Sequence, residues 1–245
     1  MGEMIRKMFG NFRRYSLFLL VQGVIIACQF TIFNDGASDI ISQRSLKSTS
    51  GISILGGIIL FFLSPLLASY LATINKNILS GKRKEFGAEL REALSYYGSV
   101  LGGTFLIGLM IFGVIFVSLL VALIPVLGIL GGIAGLVFMI YLVVKYSTIA
   151  ESIVYREYGV TDGMDTCKDV AKEHFWELFL LCVPVAILNI ISGTVGGTVV
   201  LVSISIITML YSIFASYYRI TLISRVYGED YNEVTGEKED ESSGI

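Results

Sequence analysis

The stretch LGGTFLIGLMIFGVIFVSLLVALIPVLGILGGIAGLVFMIYLVV, from Leu101 to Val144, decides the fold of this chain. It carries no charge and is long enough to cross a bilayer twice, because one crossing of the roughly 30 Å hydrocarbon core needs about 20 apolar helical residues. Pro125 and Gly128 interrupt the stretch near its middle and mark a reversal of direction. The stretch therefore predicts a transmembrane helical hairpin.

Apolar runs on both sides of this hairpin predict four further crossings. They are Leu17–Phe33, Ile52–Ile74, Leu178–Ile191 and Thr198–Leu222. The composition agrees, since the 245 residues are 54% hydrophobic and 16% charged, with a mean hydropathy of +0.76, outside the soluble globular range. We therefore predict an all-α, polytopic membrane protein with six transmembrane helices.

The distribution of Lys and Arg predicts how the chain is oriented. Basic residues cluster before the first crossing, after the second, after the fourth and after the sixth, whereas the first loop holds Arg44 and Lys47 and the other two turns hold none. Cytoplasmic loops of membrane proteins are enriched in Lys and Arg. We therefore predict a multi-pass protein of the cell membrane with both termini in the cytoplasm.

The amino terminus has an alternative interpretation. A basic stretch, an apolar run and the residues Val24–Cys28 resemble a bacterial lipoprotein cleavage site, with Cys28 as the lipidated residue. Removing this helix would destroy the internal repeat that the rest of the sequence shows. We therefore interpret the run as a retained first crossing.

Three amphipathic segments lead directly into the first, third and fifth crossings. They are Met4–Leu20, Phe86–Tyr97 and Gly163–Leu181. In the second of them, helical spacing puts Phe86 and Leu94 on an apolar face and Glu89 on the opposite, charged face. Such a helix at a membrane surface buries its apolar stripe among the acyl chains, so we predict an interfacial helix before each hairpin.

The ends of the second, fourth and sixth crossings also match one another. At each, a Tyr precedes a β-branched residue by the same interval, and a Gly follows shortly after. The tyrosines are Tyr70, Tyr146 and Tyr218, and the glycines are Gly81, Gly159 and Gly228. Three matches in register predict one unit of interfacial helix plus hairpin used three times, at about 1–80, 81–158 and 159–228, around an approximate threefold axis. Residues 1–228 then form a single transmembrane domain, and the acidic segment 229–245 is predicted to be a disordered cytoplasmic tail.

Basic residues of the interfacial segments and of the helix ends are candidate contacts for anionic lipid, each worth about 1 kcal/mol near a membrane surface. They are Arg6, Lys7, Arg13, Arg14, Lys82, Arg83, Lys84, Arg91, Lys145 and Arg219. Lys145 and Arg219 lie close to helix ends, where long side chains extend toward the headgroups. The alternative is that the amphipathic helices only anchor the protein and set the tilt of the crossings.

Ionisable residues are absent from the middle of every predicted crossing, so the sequence gives no sign of an ion or proton path. The candidate intramembrane polar contacts are Gln22, Gln29 and Asn189. Their usual role is hydrogen bonding between helices, and the alternative is a polar substrate cavity. Small residues near Gly131 and Gly135 predict close approach of helix backbones, and Pro65 and Pro184 predict kinks.

The sequence predicts no catalytic, cofactor-binding or metal site. It offers no nucleophile–base pair, phosphate loop or paired carboxylates in an apolar setting. Glu173 and Glu177 share a helix face from which His174, the sole histidine, points about 100° away, and zinc sites supply more nitrogen or sulfur ligands than this. We therefore predict a non-enzymatic protein with no cofactor and no nucleic-acid partner.

Three stretches resemble the mainly archaeal membrane proteins grouped as domain of unknown function 4013. They are SYLATINKNILSGKRKEFGAELREALSYY, ASYYRITLISRVYGEDY and IPVLGIL. More distantly, AESIVYREYGVTDGMDTCKDVAKEHFWEL is similar to the membrane domains that accompany some glycerophosphodiester phosphodiesterases. The resemblance covers nearly the whole chain and implies a multi-pass membrane protein. No activity is established for that family, so the resemblance implies no catalytic residues.

These observations lead to three hypotheses about function. The first is a non-enzymatic membrane protein that interacts with or organises membrane lipid, because of the amphipathic helices and the absence of buried charge. The second is a small-solute permease or transporter component, which needs a polar cavity lined by Gln22, Gln29 or Asn189. The third is a membrane scaffold that binds a protein partner, or a homo-oligomer, which the acidic tail suggests.

Overall fold

The computed structural model of the chain describes Arg6 and the ranges 9–26, 46–82, 84–157, 159–194 and 198–234. A 3-10 turn, Phe12–Tyr15, precedes helix α1 at residues 16–26. The following helices are α2 Leu46–Leu79, α3 Phe86–Ala122, α4 Pro125–Lys145, α5 Ile149–Arg156, α6 Val160–Thr194 and α7 Thr198–Val234. For these residues the prediction of an all-α protein is confirmed.

Within the described residues, five helical segments are long and apolar enough to cross a membrane. They are Ile58–Leu79, Phe86–Ala122, Gly128–Arg156, Val160–Ile191 and Val202–Gly228. These segments coincide with five of the six predicted crossings. The predicted first crossing begins in α1 and continues into residues that the structure does not describe, so this crossing stays a prediction.

Helices α3 and α4 form the predicted hairpin. The chain reverses between them at Leu123 and Ile124, and Pro125 occupies the first turn of α4, where its missing N–H costs nothing. A Cβ atom added at Gly131 or Gly135 would overlap side chains of α3, so these glycines let the backbones approach closely. The outer faces of both helices expose large apolar side chains, as expected of surfaces that face lipid.

The predicted interfacial segments are the first turns of the long helices α3 and α6. Helix α3 is continuous from Phe86 to Ala122, and the described break in α6 lies at His174 (φ −122°, ψ 30°), not at Pro184. The prediction for the faces of α3 is wrong at Glu89, which is 2% exposed, whereas Phe86 is 52% exposed. The reason is that Arg14 donates a hydrogen bond to the Glu89 carboxylate and compensates its charge inside the bundle.

The three matching helix ends pack against one another. They lie in α2, in α5 and in α7, and each of these elements contacts the other two. Ile74, Ile153 and Ile220, one from each, are fully buried. Three copies around a common axis would meet in this way, although the threefold repeat itself stays a prediction. We call this end of the bundle, where α2 ends and α3 and α6 begin, the charged end.

The three helix ends differ in how they continue. Helix α2 ends before Gly81, whose φ of +68° is a left-handed conformation that suits glycine. After α5 the left-handed residue is Glu157 (φ 58°), two positions before Gly159. Helix α7 runs through Gly228 to Val234, and the disordered tail predicted at 229–245 stays a prediction. The remainder, 235–245, lies outside the described residues.

Candidate functional site

A cavity of about 460 Å³ opens between α1, α2, α5, α6 and α7. It extends along α7 from Thr208 to Arg219, roughly 16 Å at the helical rise of 1.5 Å per residue. This length falls inside the candidate membrane span Val202–Gly228. Its polar lining consists of Gln22, Ser64, Glu151, Thr208, Ser212, Ser216 and Arg219. We call this space the central cavity.

An ion pair lies at the charged end of the central cavity. Arg219 Nη1 donates to Glu151 Oε1 at 3.5 Å, and the two side chains are 20% and 6% exposed. Glu151 is buried because α5 packs against α2, α3, α6 and α7 and is buried along most of its length. The prediction of a bundle without buried charge is therefore wrong at this position. Arg219, predicted to reach toward lipid headgroups, instead lines the cavity.

Two donors next to this ion pair have no hydrogen-bond partner among the described residues. They are the hydroxyl Oγ of Ser216, a residue only 2% exposed, and the buried Nε of Arg219. Ser216 precedes Arg219 by three residues and so shares its face of α7. Buried polar groups in proteins are nearly always hydrogen-bonded, so these two donors can bond a group that the described residues do not supply.

A second polar network fixes the charged end. Arg14 pairs with Glu89, and the adjacent Tyr15 donates from its hydroxyl to Asn75 Oδ1 at 2.6 Å. Burial raises the pKa of the Tyr15 hydroxyl, which therefore stays protonated and acts as the donor. These contacts attach the segment before α1 to α2 and α3. Arg14 is therefore mostly enclosed, which corrects its prediction as a surface contact for lipid.

Lys76 connects α2 to the end of α5. Its Nζ donates to the backbone carbonyl of Val154 at 3.0 Å and to Glu157 Oε1 at 2.6 Å. The carbonyls of a last helical turn lack partners within the helix, so the Lys76 ammonium satisfies one of them and favours the negative end of the helix dipole. The short helix α5, which carries Glu151 into the cavity, is held in place by this contact.

A basic pocket of about 450 Å³ lies between the end of α4 and the first half of α6. It is lined by Tyr141, Lys145, Lys168, Asp169, Ala171, Lys172 and Phe175. The rings of Tyr141 and Phe175 stack with centroids 5.9 Å apart, and Lys145 Nζ lies 5.3 Å from the Tyr141 centroid. Lys168 and Lys172 are absent from the predicted lipid contacts, although their spacing of four residues places them on one face of α6.

The remaining predicted site residues are dispersed. Arg6, Arg13, Lys82, Lys84 and Arg91 are exposed. Lys84 forms an ion pair with Glu92 at 3.0 Å. Of the intramembrane polar contacts, Gln22 lines the central cavity, whereas Asn189 is exposed on α6 and does not line it. Lys7, Arg83 and Gln29 lie outside the described residues.

No family model, curated protein or solved structure matches this chain. The resemblance to domain of unknown function 4013 therefore stays a prediction. In the part of the chain that the structure describes, no group of three or more His, Cys, Asp or Glu side chains is placed to hold a metal ion. His174 Nδ1 lies 3.0 Å from Glu177 Oε1, and Tyr218 donates to Glu177 Oε2 at 2.5 Å.

Proposed function

We propose that this chain is a multi-pass membrane protein that binds a small polar solute in its central cavity, as a permease or a component of a transporter. The observation that carries the proposal is a polar cavity inside the membrane-spanning helices. Its volume of about 460 Å³ falls within the range of roughly 300–1,000 Å³ that is usual for small-molecule sites.

The charges in the cavity support this proposal over a purely structural role. Ionisable residues within membrane spans are costly and usually face a solute path or a water-filled cavity. Glu151 and Arg219 line the central cavity. A pair that served only to join two helices would gain most from short contacts and complete hydrogen bonding, whereas this pair is 3.5 Å apart and Arg219 Nε is unpartnered among the described residues.

Filling the cavity tests the proposal. Ser212→Phe places a large side chain into the cavity, and Ile207→Phe makes a matched change on α7 at a residue that is 52% exposed and outside the cavity. Protein in nanodiscs would be screened by thermal unfolding against amino acids, sugars, polyols and small organic acids and amines. We expect one class to raise the unfolding temperature of the wild type and of Ile207→Phe but not of Ser212→Phe. An equal response of all three proteins, or of none, would contradict solute binding in the cavity.

The basic pocket favours a second candidate function, the binding of anionic lipid. Lys145, Lys168 and Lys172 line the pocket beside aromatic rings at the predicted cytoplasmic end of the helices, and they outnumber the nearby carboxylates of Asp165, which pairs with Lys168 at 2.6 Å, and Asp169. Each lysine near such a surface contributes about 1 kcal/mol of attraction to anionic headgroups. Aromatic rings with one polar end commonly occupy this interfacial layer.

This candidate is tested by the number of phosphatidylglycerol molecules that remain bound in native mass spectrometry after release from mixed-lipid nanodiscs. We expect Lys172→Gln to retain fewer than wild type, whereas Lys84→Gln, which removes one charge from the same end outside the pocket, retains as many. Equal losses in the two variants would indicate diffuse attraction by the charged end and would rule out the pocket as the lipid site.

A further inference from the structure

The central cavity is lined by one carboxylate and one guanidinium, and this pair indicates which class of solute it can bind. We infer that the cavity binds a small zwitterion, a molecule that carries both an anionic oxygen group and an ammonium group. The inference rests on the proposed binding of a solute in this cavity and adds the chemistry of that solute.

The charges of the cavity are complementary to those of a zwitterion. The cavity contains one carboxylate, Glu151, and one guanidinium, Arg219, within 3.5 Å of each other. A ligand with a single negative charge would approach Arg219 but meet repulsion from Glu151, and a ligand with a single positive charge would meet the reverse. In a site of low dielectric constant such repulsion is strong. A zwitterion attracts both groups and brings no net charge into the membrane span.

Two hydrogen-bond donors without a described partner suit the anionic group of such a solute. The Nε of Arg219 and the hydroxyl of Ser216 lack partners among the described residues, and both side chains line the cavity. A carboxylate or phosphate accepts two or more hydrogen bonds from donors that are close together, and a guanidinium suits such groups because its N–H bonds form a planar fork. Both atoms are buried, so a rotation of the two side chains would turn them toward the cavity, where the anionic end of the ligand would accept from Arg219 and Ser216 and its ammonium would donate to Glu151.

The rest of the lining fixes the size and character of the ligand. Phe18, Leu67 and Leu71 provide an apolar wall, and a volume of about 460 Å³ holds a molecule of amino-acid size with some space for water. The same chemistry occurs in a free amino acid and in the phosphoethanolamine headgroup of a lipid. The two sources differ in whether the ligand enters from water or from the bilayer.

The test uses matched probes and protein in nanodiscs of phosphatidylglycerol, which lacks an ammonium group. The probes are the twenty L-amino acids as a pool and singly, glycerophosphoethanolamine, propionate, propylamine and glycerol, with binding measured by calorimetry. We expect a zwitterionic probe to bind at least about tenfold more tightly than propionate, propylamine or glycerol. Weaker binding in nanodiscs that contain phosphatidylethanolamine would show that the lipid headgroup competes for the cavity. Tight binding of propionate, propylamine or glycerol that Ser212→Phe abolishes would overturn the zwitterion and leave solute binding intact. Binding of no probe would contradict both.

Three variants separate ligand contacts from support of the fold. Ser216→Ala removes a hydroxyl with no described protein partner, so we expect an unchanged unfolding temperature and about tenfold weaker binding of the zwitterion. Glu151→Gln should bind propionate more tightly than the wild type does, and Arg219→Gln should bind propylamine more tightly. A structural role would weaken all probes together. Unchanged affinity in Ser216→Ala would overturn the inference even where the two charge variants fail to fold.

Discussion

The ion pair between Arg14 and Glu89 provides a quantitative test of the packing at the charged end. The Glu89 side chain is 3% exposed, so water cannot solvate its carboxylate if the guanidinium is removed. Loss of one partner from a buried pair costs about 3–5 kcal/mol, because the remaining charge is uncompensated. We therefore expect Arg14→Gln to lower the free energy of unfolding by about that amount, a large part of the usual total of roughly 5–15 kcal/mol.

The neighbouring residue supplies the control. Arg13 is exposed, and we expect Arg13→Gln to change the free energy of unfolding by no more than about 0.5 kcal/mol. Glu89→Gln removes the buried charge, so the double variant Arg14→Gln/Glu89→Gln should recover at least about 2 kcal/mol relative to the sum of the single changes. Reversible unfolding in mixed detergent micelles, followed by far-ultraviolet circular dichroism, measures these values. Equal effects of Arg13→Gln and Arg14→Gln, or strict additivity, would refute the buried pair.

Three further predictions concern helix contacts and acid stability. Gly131→Ala should lower the unfolding temperature, because the added Cβ overlaps α3. Gly132 faces open space, so Gly132→Ala should leave the unfolding temperature unchanged or raise it slightly. Equal effects of the two variants would contradict the close packing of the hairpin. Tyr15→Phe leaves a buried amide oxygen without its donor and should cost about 1–3 kcal/mol in the same unfolding assay, with no loss expected if that hydrogen bond does not form. Burial opposes ionisation of Glu157, but the hydrogen bond and charge of Lys76 outweigh it and lower the pKa of this carboxyl below its usual 4.5. This contribution to stability is complete above the usual value and is lost as the pH falls through the lowered pKa, so Glu157→Gln should have a weaker acid dependence than the wild type.

The hairpin of α3 and α4 could be predicted from the sequence because one physical rule dominates it. An uncharged run of this length has no stable environment other than a membrane, and Pro125 limits where the reversal can fall. The close contact at Gly131 and Gly135 was predictable from a second rule. Small residues at helical spacing let the backbone of a neighbouring helix approach closely, whatever its direction.

The buried carboxylates could not be predicted from helical spacing alone. A prediction from helical spacing assumes that a charged residue faces water. Glu89 and Glu151 are instead buried, because Arg14 and Arg219 pair with them. The paired residues are 75 and 68 positions apart in the chain, so only the tertiary packing brings them together. One local signal existed at Glu151, which follows Ile149 and Ala150 and precedes Ile153 and Val154 in an otherwise apolar helix.

The break between α4 and α5 was also missed. The segment from Tyr146 to Thr148 leaves the helical ladder, and the sequence match to the ends of α2 and α7 did not predict this break. Because of this break, α5 lies in the middle of the charged end, where Lys76 donates a hydrogen bond to its backbone. A sequence repeat predicts equivalent positions but does not predict which copy bends.

The proposed function requires a polar cavity, accessible to small solutes, inside the membrane-spanning bundle. Its most direct test is the reaction of single cysteines with a water-soluble methanethiosulfonate reagent in liposomes, after Cys28, Cys167 and Cys182 are replaced by Ala. Ser212→Cys would place the thiol in the cavity, and Ile207→Cys would place it on the outer face of the same helix. We expect rapid labelling of Ser212→Cys and slow labelling of Ile207→Cys. Equally slow labelling of both would show that the cavity is closed to water-soluble molecules and would contradict the proposed function.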